Sequence, residues 1–191
     1  MQAFFVSTGV VALAEIGDKT QLLAFILAAR FMRPWPIIAG IACATLLNHG
    51  LAGVLGAWIP SVVQPSTLRW LLGFSFIAMA VWVLIPDRID DDHTPSAGRL
   101  GVFGATVVAF FLAEMGDKTQ VATVALAANY ASVTSVVLGT TFGMLVANVP
   151  AVLLARKFVE RVPMNLVHGI AAFIFLVLGI LTLSGVGQGL F

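Results

Sequence analysis

Charge is what this 191-residue chain has least of: Asp, Glu, Lys and Arg together make up 10% of it, against about 25% in soluble domains. That is too little to cover a water-facing surface. With 60% hydrophobic residues and a mean hydropathy of +1.03, the shortage points to an all-α integral membrane protein. The basic residues form no patch able to neutralise a run of phosphates, so nucleic acid is excluded as an expected partner. A single cysteine, Cys43, allows no intramolecular disulfide. The first residues lack both the positive segment and the cleavage site of a signal peptide, and read as a retained first helix. A net charge of +1 says nothing about partners.

What the chain has in quantity is long apolar runs. A helix needs roughly 20 mostly apolar residues to cross a bilayer, and on that basis spans are expected over 3–29, 36–59, 68–85, 100–128, 132–154 and 166–185. Arg30 to Pro34, Pro60 to Ser66, Pro86 to Gly98, Asn129 to Ala131 and Arg156 to Pro163 separate them. Trp35, Trp58, Trp70, Trp82 and Tyr130 lie at or near span ends, where an aromatic belt belongs. Six spans put Arg30, Arg33, Arg88, Arg99, Arg156, Lys157 and Arg161 on one side and only Arg69 on the other. The positive-inside rule makes the first side cytoplasmic and leaves both termini outside.

The chain also repeats itself. Leu13 to Gln21, LAEIGDKTQ, returns at Leu112 to Gln120 as LAEMGDKTQ, identical at eight of nine positions. At the same offset Leu27-Ala28-Ala29 matches Leu126-Ala127-Ala128 and Gly40 matches Gly139; one residue of slippage later Asn48 matches Asn148, and Gly73 then corresponds to Gly169. Residues 1–85 and 100–191 thus read as two three-helix repeats joined by a cytoplasmic linker, 86–99. An odd number of spans per repeat turns the second half upside down, the inverted plan of secondary transporters whose sites lie at mid-membrane between the repeats.

The repeated motif puts the costliest residues into the most apolar segments. Continued as a helix, Glu15, Asp18, Lys19 and Leu22 share one face, as do Glu114, Asp117, Lys118 and Val121. Each carboxylate pair falls near mid-bilayer, where a charge costs at least ~2.5–3.5 kcal/mol. The groups must therefore face one another or a cavity. A purely structural salt-bridge cluster is one reading, with Lys19 placed to pair with Glu15. Two acids and one base per motif, however, leave −2 over both copies, which balances one divalent cation. Gly17 and Gly116 let the helix loosen and expose carbonyls, and Thr20, Gln21, Thr119 and Gln120 add oxygens a turn further on. Hard oxygen ligands suit Mg²⁺, Ca²⁺ or Mn²⁺ and argue against copper or structural zinc. Asn48 and Asn148 occupy matching places in the second and fifth spans, either as interhelical hydrogen-bonding residues or as groups that reach the site. His49 has no partner in this alignment; ligand, proton acceptor and polar cavity lining are all open to it. His168 is assigned nothing. Gly40-xxx-Ala44 and Gly139-xxx-Gly143 permit close helix packing, and Pro150 is expected to kink the fifth span. Met115, the one difference between the motif copies, is either packing or a bias towards Mn²⁺.

Glu-x-Gly-Asp-Lys-Thr, twice in a small six-span chain, resembles the signature of the cation/proton antiporter family that includes the Golgi manganese and calcium transporters; bacterial manganese exporters of the MneA type are similar. The resemblance covers essentially the whole chain. It implies export of Mn²⁺, or of Ca²⁺, in exchange for protons. Glu15, Asp18, Glu114 and Asp117 are then the principal cation ligands, with Thr20, Gln21, Thr119 and Gln120 in support and Lys19 and Lys118 balancing charge. The Asn48-His49 pair is not part of the signature. Lacking the added N-terminal segment and longer acidic loop of eukaryotic members, the chain looks like a bacterial cell-membrane protein.

The resulting expectation is a transporter, not an enzyme, with no resident cofactor; its partners are a divalent metal ion, protons and lipid. A cation held between the first and fourth spans is released outside when the halves rock and protons displace it. Export of a small organic cation or amino acid by the same fold, a non-transporting scaffold and a channel are the rivals. Proton stoichiometry, oligomeric state and the pairing of lysines with acids are not legible.

Overall fold

Apolar stretches rich in Ala, Leu and Val form helices throughout this chain, and their ends fall where glycine, proline and aspartate interrupt them. The computed structural model describes residues 1–82, 84, 100–154 and 164–184, with the side chains of 164–168 and 171 excepted. The expected linker 86–99 and the cationic residues Arg88, Arg99, Arg156, Lys157 and Arg161 lie outside the described residues, as does the side chain of His168. Eight helices and no strand occur among those described: α1 (Gln2–Glu15), α2 (Lys19–Phe31), α3 (Pro34–Val62), α4 (Pro65–Trp82), α5 (Gly101–Glu114), α6 (Lys118–Asn129), α7 (Val133–Leu153) and α8 (Met164–Ser184).

The first and fourth expected spans are each two helices, not one. Glu15 to Asp18 forms a type II β-turn: Ile16 has φ −63° and ψ 119°, Gly17 has φ 85°, and the Asp18 N–H donates to the Glu15 carbonyl at 3.0 Å. Glu114 to Asp117 repeats it, with Met115 at φ −65° and ψ 117°, Gly116 at φ 77°, and a 3.1 Å bond from the Asp117 N–H to the Glu114 carbonyl. The third residue of such a turn needs a positive φ, and glycine supplies it without steric cost. The shared helical face expected for Glu15, Asp18, Lys19 and Leu22 therefore does not form, nor does its counterpart in the second motif. The turn separates Glu from Asp, and Leu22 and Val121 are exposed.

Packing is reciprocal between the halves. α1 lies on α7 as α5 lies on α3, α2 meets α7 as α6 meets α3, and α4 pairs with α8. The small residues expected to allow close approach do so. A Cβ on Gly139 would stand 2.5 Å from the Phe4 carbonyl oxygen, one on Gly143 2.6 Å from that of Thr8, and one on Gly40 2.7 Å from the Thr106 Cβ. Gly73 and Gly179 bring α4 and α8 together in the same way. One apolar cluster centres on Phe76, Met79, Leu126 and Phe175, another on Leu27, Ile37, Ile41, Phe110 and Met144.

The outer surface is apolar and the centre polar. Leu47, Leu51, Val54, Leu55 and Trp58 are exposed along α3, as are Trp70, Leu71 and Phe74 on α4, while the motif carboxylates are buried. This inverts the distribution of a protein dissolved in water. Trp35, Trp58 and Trp70 lie on this outer surface, whereas Tyr130 is buried. Among the described residues α3 and α7 are long and apolar enough to cross a membrane by themselves; α1 and α5 are apolar but shorter, because the turns end them.

Candidate cation site

The two turns meet. Each stops a helix at a glutamate and starts the next after an aspartate, so four helix ends converge with a carboxylate on each. The C-terminal ends of α1 and α5, negative by their dipoles, carry Glu15 and Glu114; the positive N-terminal ends of α2 and α6 are faced by their N-cap residues Asp18 and Asp117. Gln21 and Gln120 fix the turns from within. The Gly17 N–H donates to Gln21 Oε1 at 2.9 Å and the Gly116 N–H to Gln120 Oε1 at 2.8 Å; Gln21 Nε2 then donates to the Ala147 carbonyl on α7 at 2.9 Å. The glutamine oxygens expected as supporting ligands are thus taken up by backbone.

Glu15 and Glu114 are 0% exposed and Asp18 and Asp117 3%. One carboxylate oxygen from each of Glu15, Glu114 and Asp117 lies within 4.8 Å of the other two. Glu15 Oε2, Glu114 Oε1 and Asp117 Oδ2 have no hydrogen-bond partner among the described residues. Buried oxygens of this kind are costly unless something positive completes them.

The lysines cross between the halves. Lys19 Nζ stands 3.0 Å from Asp117 Oδ1, and Lys118 Nζ pairs with Asp18 Oδ1. The turn carries Lys19 away from Glu15, which is why the pairing open to it on an unbroken helix is not made. The Lys118 side chain is 2% exposed and that of Lys19 27%, so the Lys118–Asp18 bridge is dry and the Lys19–Asp117 bridge reaches the surface.

Neutral partners differ as well. Thr119 Oγ1 donates to Glu114 Oε2 at 2.8 Å. Thr20 is equally buried, but its hydroxyl has no hydrogen-bond partner among the described residues. Glu15 is met by Asn148 instead, whose Nδ2 lies 3.4 Å from Oε1 while also facing the Met144 carbonyl at 3.1 Å and the Met144 sulfur at 3.0 Å. Asn48 does something else, donating to the Phe111 carbonyl on α5 at 3.1 Å. Its expected equivalence with Asn148 is corrected by the structure. Between Gly40 and Asn48 and between Gly139 and Asn148 both helices run unbroken, so the one-residue slippage has no bulge to accommodate it. Gly40 packs on α5 at the Phe103 carbonyl and Gly139 on α1 at that of Phe4, which keeps the offset of the motifs. Nine residues beyond these glycines stand His49 and Asn148.

An apolar exterior around a dry cluster of carboxylates from two repeated halves is the architecture of a protein that handles cations within a bilayer. Comparison with known proteins makes this particular. The family model described as "Divalent cation/proton antiporter GDT1" matches residues 3–91 and again 102–188. A Vibrio cholerae protein named "Putative manganese exporter" is 48% identical over 183 residues, covering 95% of this chain and 90% of its own length. A GDT1-like protein of Synechocystis is 26% identical, covering 93% of this chain and 96% of its own, and GDT1-like protein 5 of Arabidopsis thaliana is 26% identical, with 96% of each chain covered. No solved structure matches. The chain belongs to the GDT1 family of divalent cation/proton antiporters, and is accordingly a membrane protein of divalent cation transport.

Proposed function

We propose that the chain exports one divalent cation at a time, manganese ahead of calcium, in exchange for protons. The observation that carries this reading is the approach of Glu15, Glu114 and Asp117, from both halves, to within 4.8 Å of one another in full burial. Four carboxylates and two lysines sum to −2 when all are ionised; a divalent ion neutralises that sum, and protons on the glutamates do the same. A carboxylate oxygen does not hold both at once, so each displaces the other. The lysines, tied to the aspartates across the halves, leave the two glutamates as the groups free to exchange metal for protons.

Preference for manganese has two supports. Calcium takes six to eight oxygen ligands, and with Gln21 and Gln120 bound to the turns the cluster offers few beyond the carboxylates. The Vibrio cholerae relative, at 48% identity, bears a manganese exporter's name.

In the bilayer, α1–α2 and α5–α6 each cross once with the turn at mid-depth. Together with α3, α4, α7 and α8 they make six spans in two inverted repeats, residues 1–85 and 100–191, with both termini outside. Rocking of one repeat against the other opens the shared site first to the cytoplasm and then outside. The test is transport in proteoliposomes under an imposed pH gradient with competing Mn²⁺ and Ca²⁺. The wild-type chain is expected to move Mn²⁺ against the proton flow, and Glu15→Gln and Glu114→Gln to abolish it. Transport retained in both variants, or driven equally well without the gradient, overturns the reading.

A further inference from the structure

Asn148 is not the only buried polar side chain outside the repeated motif. On α3, Thr45 and His49 are 0% exposed, and neither the threonine hydroxyl nor either imidazole nitrogen has a hydrogen-bond partner among the described residues. A buried polar group left open in this way is rare enough to need a reason. Thr45 and His49 are four residues apart, on one face of an unbroken helix.

The helix register supplies the reason. With Gly40 and Gly139 as landmarks, Thr45 answers to Met144 and His49 to Asn148. On α7 the Met144–Asn148 pair closes on itself and on Glu15, through the amide at 3.4 Å from Glu15 Oε1. α3 packs on α5 as α7 packs on α1, and α5 ends at Glu114 as α1 ends at Glu15. By register His49 answers, on the side of Glu114, to Asn148 on the side of Glu15, although no hydrogen bond joins His49 to Glu114 in this structure. Glu114 Oε1 is an acceptor with no donor, and His49 carries a ring N–H with no acceptor. His49 is not one of the three groups whose oxygens converge, so its route to the cation runs through the carboxylate.

We infer that His49 is the positioning residue for Glu114: when the cation binds, its ring N–H closes on the free carboxylate oxygen and orients it, as the Asn148 amide orients Glu15. This rests on the cation-site reading above. It also accounts for a pair of unlike residues at like positions, since both imidazole and carboxamide donate an N–H to a carboxylate. What the position requires is the donor, not the ring.

The test is equilibrium titration of Mn²⁺ onto the full chain purified in detergent, which is independent of turnover. His49→Leu, which keeps the bulk and removes the donor, is expected to weaken Mn²⁺ binding about 10- to 100-fold, the usual effect of losing a partner behind a metal ligand. His49→Asn, which gives both halves the same donor, is expected to recover most of that loss, as is the exchange variant His49→Asn/Asn148→His. Should His49→Leu melt below the assay temperature, His49→Ala makes the same comparison without added bulk at the branch. Equal impairment by Asn and Leu, or no effect of either, overturns the inference while leaving the cation site standing. A wild-type chain that binds no divalent ion contradicts both.

Discussion

The turn after α1 and the turn after α5 are nearly superimposable in backbone and unlike in surroundings. Their glycines stand at φ 85° and 77°, and Asp18 and Asp117 at ψ 166° and 167°. Each glutamine closes its own turn in the same way. Yet Glu15 is met by an amide from α7 and Glu114 by the hydroxyl of Thr119 in its own half, while Lys118 is dry and Lys19 reaches the surface. Eight shared residues of nine dictate the same local chain path, because turn chemistry is local. The surroundings are not: the amide that meets Glu15 comes from α7, outside the motif, where the halves have diverged. The two motifs are therefore one fold element used twice, in two chemical environments.

The comparison can be broken in graded ways. The largest effect is expected where the halves contribute alike: Glu15→Gln and Glu114→Gln should each remove proton-coupled Mn²⁺ transport, since one cation needs both. Next come the lysines, where the halves should part. Lys118→Met removes the buried cation that pairs with Asp18, a loss of about 3–5 kcal/mol by analogy with other buried pairs. Lys19→Met should cost much less, because water reaches its end of the bridge. Chemical unfolding in detergent measures both, and equal losses would contradict the asymmetry. Thr119→Val removes a hydrogen bond to a charged group, about 1.5–3 kcal/mol, and should weaken Mn²⁺ binding, whereas Thr20→Val should be close to neutral; titration of the two variants distinguishes them. A modest effect, and one that should be equal in both halves, is that of Gly17→Ala and Gly116→Ala. Each forces a Cβ into the left-handed region at about 1–2 kcal/mol, read as a matched fall in melting temperature. A fall in only one would mean that the two turns do not carry the same strain.

Much of this was legible in the sequence. The doubled motif marked the carboxylates that the structure brings together, the apolar runs marked the helices, and the small residues near Gly40 and Gly139 marked close packing that the structure contains. The type II turn was not read, although its signs were present: a glycine, then an aspartate able to cap, then Lys-Thr-Gln opening a new helix. Apolar periodicity on both sides of the motif suggested a continuous helix and outweighed them. The crossed Lys–Asp bridges could not be read at all, because they join residues about a hundred positions apart. The matching of Asn48 with Asn148 was misleading for a physical reason. Identity of residue type invited a one-residue shift, but an unbroken helix has no room for one, and the shift would rotate every later side chain by about 100°.

The central claim is that neither motif is a site and that the two together hold one ion. Its most direct measurement is the number of Mn²⁺ ions bound per chain at saturation in the wild type and in Glu15→Gln and Glu114→Gln. One ion in the wild type and none in either variant is the predicted result. Two ions in the wild type, with one retained in each variant, would show that each half binds alone and would contradict it.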